Sequence, residues 1–210
     1  MNDKNINKNS TQSGRSMIEM LGVLAIVGVL SVGGIAGYSK AMTKFKINKT
    51  ADQISQIVTN IRTLYAQQTT YSGLRTVTAI QMGVTPDELG TGTTLTNAFG
   101  GSINIEWSNK NLGSPTNYIS DDAFAIIVNG MPKEACVSLA TMDWGTHASS
   151  GLIYLAINSG NRSHAIDNCT SGYSYDEMIR CSKDGPIPVS IAAEACNCSN
   201  NDCNIALKFY

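Results

Sequence analysis

The chain has 210 residues, enough for one core domain plus an anchor, and 15 basic against 16 acidic side chains leave a formal net charge of -1. That balance shows no clustered basic excess of the kind that marks a nucleic-acid footprint, so nucleic acid is not among the expected partners. Charged residues make up only 15% of the chain, against roughly a quarter in soluble domains, and Ser, Thr, Asn and Gly fill the deficit, a surface better suited to packing against like copies than to electrostatic steering.

Residues 1–14 are polar, with Lys4 and Lys8 set against Asp3 and no apolar run that could pack or insert. With Arg15 they place positive charge on the N-terminal side of a long apolar run, which favours keeping that end cytoplasmic. The run itself, Met20 to Tyr38, has 19 residues without a charge, close to the roughly 20 needed to cross a bilayer as a helix. Only a helix satisfies its own backbone there, so helix is expected despite five glycines. Gly22, Gly28, Gly33, Gly34 and Gly37 either allow close helix contact, as small residues do in membranes, or make the helix easy to unwind. Glu19 stands at the very start of the run. A charge in the membrane costs about 2.5 to 3.5 kcal/mol on insertion scales, which makes it a functional candidate. An ordinary secretory signal would close its apolar region with a small-residue cleavage site. Here the apolar run continues into helix, which argues against a cut after it and leaves a cut before it, at the Gly14–Arg15 bond, open.

Gly14-Arg15-Ser16-Met17-Ile18-Glu19 followed by an apolar helix resembles the class III signal of type IV prepilins. The resemblance implies that a dedicated membrane peptidase cleaves after Gly14 and methylates the new N-terminus, and that Glu19 is the fifth residue of the mature chain. It further implies that the Glu19 carboxylate of one subunit neutralises the α-amino group of its neighbour in a filament, with the Arg15 side chain as substitute or competitor. Two features depart from the family: Arg15 stands where Phe or Met is usual, and the apolar run has no kinking proline, for which Gly33-Gly34 and Gly37 could supply local flexibility. The competing reading keeps Glu19 solvated among headgroups and treats Gly14 as a linker glycine; on the first reading Gly14 is needed because a protease approaching the backbone tolerates little bulk.

From Ser39 to Gln68 the apolar residues Ile47, Ala51, Ile54, Val58, Ile61 and Tyr65 recur at spacings of 4, 3, 4, 3 and 4, one stripe of an amphipathic helix. Lys40, Lys44, Lys46 and Lys49 cluster where the membrane would end, as interfacial anchors or solvated charges, or in contact with lipid headgroups or a neighbouring subunit. A helix continuous from Ser16 to Gln68 would be roughly 80 Å long at 1.5 Å per residue. A head made of residues 69–210 cannot cover such a rod, so half of it must be buried in lipid or in other copies.

Thr69 to Phe99 reads as a loop-rich segment with one short helix near Val77–Met82. Strands are expected at Ser102–Trp107 and at Ala123–Val128, the latter ending in a tight turn at Asn129-Gly130. Pro132–Ala140 reads as a helix with proline in its first turn. Leu152–Ile157 reads as a strand closed by Asn158-Ser159-Gly160, Val189–Cys196 as a short helix, and Cys203–Tyr210 as a terminal strand. The fold class is therefore α+β: a long N-terminal helix, its first half (about 17–38) membrane-spanning, against an antiparallel sheet head. It looks like the type IVb pilin plan, with a leader (1–14), the helix (15–68) and the head (69–210).

All six cysteines fall after residue 135. An even count in one region, downstream of an export-type segment, favours disulfides in an oxidising compartment over free thiols. Six cysteines allow 15 connectivities. Cys136–Trp144 and Ala193–Cys196 look like the two ends of the family's disulfide-bounded region (about 136–203), so the resemblance implies a Cys136–Cys196 bridge; Cys169–Cys181 and Cys198–Cys203 are then expected as local loops. Cys196, Cys198 and Cys203 with His147 or His164 match no common zinc spacing, and no metal or other cofactor is expected. Asp121-Asp122 and Asp143 read as a solvated turn and helix caps, against a calcium site. No phosphate-cradling glycine motif, nucleophile elbow or paired metal-ligand helix is present, so no enzyme is expected.

The resemblance implies a structural pilin subunit, single-pass in the inner membrane before assembly and then in an extracellular bacterial filament. Its head would be exposed for adhesion or aggregation, with partner choice lying in loops such as Asn158–Asp184. The expected partners are further copies of itself, the prepilin peptidase, the inner-membrane assembly machinery and, before assembly, the membrane. The rival readings are a minor pilin or pseudopilin of a type II secretion or conjugation-related system, and a signal-anchored periplasmic domain that never polymerises.

Overall fold

An uncharged run followed by a 3.6-residue apolar stripe, with no proline between them, makes a single helix, α1, from Ser13 to Tyr65. It stops three residues short of Gln68, whose N–H closes a turn on the Tyr65 carbonyl at 2.8 Å. The computed structural model describes residues 13–90, 92–109, 121–145, 151–159, 174–176, 179–182, 186–198 and 202–210. They divide into two units, one ending at Thr43 and one running from Lys44 to Tyr210.

In the second unit, α1 is followed by α2 (Thr76–Gln81) and a 3-10 turn at Asp87–Leu89. After these come β1 (Leu95–Thr96), β2 (Ser102–Ser108), β3 (Ala123–Met131) and α3 (Lys133–Ala140). The chain continues through β4 (Leu152–Ser159), β5 (Ser174–Asp176), β6 (Ile179–Ser182), α4 (Val189–Ala195) and β7 (Cys203–Phe209). The strands form one sheet in the order β1-β2-β3-β7-β4-β6-β5, antiparallel at every pairing. The last strand in the chain is thus the middle strand of the sheet.

Alternation along the strands decides what faces the helix. Ile103 and Ile105, Phe124 and Ile126, Leu155 and Ile157, Ile205 and Leu207 join the core with Ile47, Ile54, Ile57 and Ile61 of α1. The helix therefore buries the expected stripe and more: Ile57, Thr50 and Gln53 are also out of solvent. The opposite sheet face is no solvent face either, since Ile127, Asn158, Asn204, Ala206 and Lys208 are buried. The Lys208 ammonium lies 5.5 Å from the centroid of the Tyr154 ring, across the β7–β4 register.

Several expectations need correction. Asn129-Gly130 is not a hairpin turn. β3 runs through it to Met131 with a register shift against β7 between Val128 and Met131, a bulge of the kind made by an extra residue in one strand. Gly130 adopts a φ of +68°, and a side chain on Gly101 would collide with the Asn129 carbonyl, so two strands meet here backbone to backbone. Asn97 stitches the site by donating to the Asn129 carbonyl at 2.7 Å and accepting from the Phe99 and Gly101 N–H groups. Asn158 and Ser159 do not close β4 but extend it, paired with Asn204 and Cys203. Pro132 caps α3 from outside its first turn. Asn158–Asp184, expected as loops, holds β5 and β6.

Candidate assembly and processing surface

The candidate processing residues Gly14 and Arg15 lie within the first turn of α1 as bounded. Glu19 lies further along the same helix and is exposed. Every described side chain from Met17 to Ala41 is exposed, with Ile18 and Val29 each 75% open. Each large apolar side chain left in water forfeits roughly 1.5–3 kcal/mol, so this surface calls for a cover of lipid or protein. The helix is long and apolar enough to cross a membrane, and none of its most apolar window is buried. Two hydroxyls of this part of the helix bond to its own backbone: Ser31 donates to the Val27 carbonyl at 2.7 Å and Thr43 to the Ser39 carbonyl at 3.1 Å, the back-bonding that hydroxyls use in apolar helices. Side chains added at Gly22, Gly28, Gly33, Gly34 or Gly37 would meet nothing within 4 Å, so no packing within the chain demands glycine there.

In the second unit the lysines separate. Lys49 pairs with Glu88 at 2.9 Å, and the Gln53 amide donates to the same carboxylate. The bond from Gln53, then that from Lys49, hold the Glu88 carboxyl below its usual range. This clasp fixes the 3-10 turn to α1, beside a bond from the Asn60 amide to the Val84 carbonyl at 3.0 Å. Lys46 lies 5.8 Å from the centroid of the Phe99 ring. Lys44 is exposed, as is Lys40 in the first unit. Near the end of α1, Arg62 spans the Phe209 ring at 5.4 Å and donates to the Tyr210 carbonyl at 3.2 Å, and burial lowers its pKa. Tyr65, Tyr71, Phe124 and Phe209 form a ladder of rings with centroids 4.9–5.6 Å apart; burial pushes the Tyr71 phenol up, against the opposing pull of Arg62.

Cys136 is joined to Cys196, and Cys198 to Cys203. The first bridge ties α3 to the end of α4 across 60 residues of sequence, a loop for which the chain-entropy estimate is about 4 kcal/mol. The second closes a short loop into β7. These four sulfurs are consumed by the bridges and are not metal ligands in this structure. Cys181 lies in β6 opposite Ala156, while Cys169, His147 and His164 fall outside the described residues. Asp143 accepts from the Gly145 N–H at 2.8 Å, a turn cap, and Asp121 adopts a φ of +71° where its carbonyl receives the Tyr71 N–H. Among the described residues no group of His, Cys, Asp and Glu is placed to hold a metal.

The family described as PilS N terminal matches residues 44–207. The major structural subunit of bundle-forming pilus from Escherichia coli O127:H6 (strain E2348/69 / EPEC) is 29% identical over 202 residues, covering 95% of this chain and 94% of that protein. Its counterpart from Escherichia coli O111:H- is 28% identical over the same span. Among solved structures, TcpA, a type IV pilin from Vibrio cholerae El Tor biotype, is similar with a TM-score of 0.52 at 15% identity, covering 79% of this chain and 99% of that one. A type IV b pilin from Salmonella typhi gives a TM-score of 0.46 at 20% identity, covering 76% and 98%.

Proposed function

Because the chain belongs to the PilS N-terminal family and shares its fold with a type IV pilin, we propose that it is a type IVb pilin, a structural subunit that polymerises through α1 into a pilus. The observation that carries the reading is the bare apolar surface of α1 from Met17 to Tyr38. A surface of that kind is stable in lipid or against sister helices and nowhere in water. In this reading the chain is held in the inner membrane by α1, cut after Gly14 by the prepilin peptidase, and passed by the assembly machinery into an extracellular filament. The work is mechanical rather than catalytic, and the head is left to make adhesive or aggregating contacts.

Glu19 has a definite task in this scheme. Surrounded by apolar neighbours, a carboxylate needs a counter-charge, and the α-amino group freed at Arg15 of the adjoining subunit supplies one. Each arriving subunit is thereby registered against the last by charge while apolar area supplies the attraction. N-terminal sequencing of subunits recovered from sheared surface filaments tests the proposal: the expected start is Arg15, in fibres visible by electron microscopy. An uncut chain found solely as a membrane-bound monomer would overturn it.

A further inference from the structure

Asn129-Gly130 is the only Asn-Gly pair in the sequence, and the hairpin it signals is not made. The fold needs each member of the pair for a separate reason. Gly130 holds a φ of +68°, and a Cβ there would come within 2.8 Å of the Gly101 Cα, so no larger residue fits. Asn129 is 2% exposed. Its side-chain amide donates to the Ser102 hydroxyl at 3.2 Å, and its carbonyl accepts from the Asn97 amide at 2.7 Å. Side by side, the two residues also make the most reactive of asparagine dipeptides, because glycine leaves the following backbone nitrogen unshielded.

We propose that Asn129-Gly130 is a deamidation site that folding closes and unfolding opens, with water as the co-reactant. The Gly130 nitrogen attacks the Asn129 Cγ and loses its proton. The new C–N bond closes a five-membered imide while the Cγ–Nδ2 bond breaks, and ammonia leaves with that proton. Water then opens the imide at either carbonyl. One opening leaves aspartate at position 129, the other isoaspartate, whose main chain runs through the side-chain carbon.

In the folded head the first step is blocked. Asn129 lies in β3, whose extended backbone and the bond to Ser102 of β2 hold its side chain away from the next nitrogen. Burial keeps water out. Before the head closes neither restraint is in place, since Met131, two residues on, pairs with Cys203 of β7, the last strand in chain order. Either product then bars the way back. Aspartate would carry a charge into a buried site. Isoaspartate lengthens the main chain where Gly101 and Gly130 leave no room for one added carbon. A chain that lingers unfolded is thereby retired rather than folded late.

The test follows the full chain in detergent micelles with its disulfides intact, one portion held in guanidinium and one left folded, in the same mildly alkaline buffer. Aliquots of the unfolded portion are diluted to refold, and trypsin separates refolded heads from the rest. Mass mapping of the peptide spanning position 129 reads its amide or acid form in each fraction. Conversion is expected in the unfolded portion, slower by roughly a hundredfold or more in the folded one, with converted chains missing from the refolded fraction. Asn129→Ser, which cannot form the imide, should refold equally well after short and long incubation. If that variant does not fold at all, the partition of native chains decides alone. Conversion at equal rates in both portions, conversion in neither, or converted chains that refold as well as the rest would overturn the proposal.

Discussion

Helix α1 contains two stretches that share a secondary structure and little else. From Met17 to Ala41 every described side chain is exposed, and between Glu19 and Lys40 no residue carries a charge on any side of the helix. From Ile47 to Ile61 the apolar residues lie on one side and are 9% exposed or less, while Asp52, Ser55 and Thr59 face out. The second pattern is that of a helix whose partner is folded beside it, and the first that of a helix whose surroundings come from outside the chain. Helical periodicity alone therefore does not tell where a helix is buried; the width of its apolar arc does.

The contrast can be broken at matched positions. The largest effect is expected for Ile57→Asp, which sets a carboxylate in a fully buried site. It should cost more than about 4 kcal/mol and leave no cooperative unfolding of the head. Ile26→Asp, in the exposed stretch, should leave that transition in place and impair membrane insertion instead; equal loss of head stability from both changes would erase the distinction. Next, removing the long bridge with Cys136→Ser and Cys196→Ser together should lower head stability by about 4 kcal/mol in denaturant titration.

Glu19→Ala sharpens the same contrast from the other side. It should leave head unfolding unmoved but weaken subunit joining by about 3 kcal/mol, roughly a hundredfold. Undiminished filament yield would sink the pairing. The smallest effect concerns Glu88. Its folded pKa lies below the ordinary 4.5, so its contribution is fully present above about pH 4.5 and is lost as pH falls through the folded value. The stability difference between the native chain and Glu88→Gln should be flat near neutral pH and shrink on acidification. A difference that grows in acid would contradict the clasp.

Much of this was readable from local pattern. The stripe from Ile47 to Tyr65, the strands at Ser102, Ala123, Leu152 and Cys203, and both short helices after Pro132 and Pro188 arise from periodicity and proline placement. Ile57, Thr50 and Gln53 did not stand out, because a single row of apolar residues underestimates how far a sheet wraps a helix. β1, β5 and β6 are two to four residues long, too short for alternation to register. Asn129-Gly130 carries the signature of a hairpin, yet β7 pairs on beyond it to Met131, and the glycine serves a close approach of two backbones instead. Of the candidate surface, Glu19 stood out in sequence as a lone charge beside 19 uncharged residues; its pairing role rests on the proposal above. The Lys49–Gln53–Glu88 clasp did not stand out, since Glu88 is 35 or more residues from both its partners in sequence and only the fold brings them together.

β7 has a consequence for the birth of the molecule. Being the seventh strand in sequence and the keystone in space, it leaves β1-β2-β3 and β4-β6-β5 as separate ribbons with raw hydrogen-bonding edges until Phe209 has emerged. A chain threading through a membrane from its helical end would thus be anchored long before its head could close. During that interval the unfinished ribbons are targets for proteases and chaperones, and a chain cut short before Cys203 would stay in that condition.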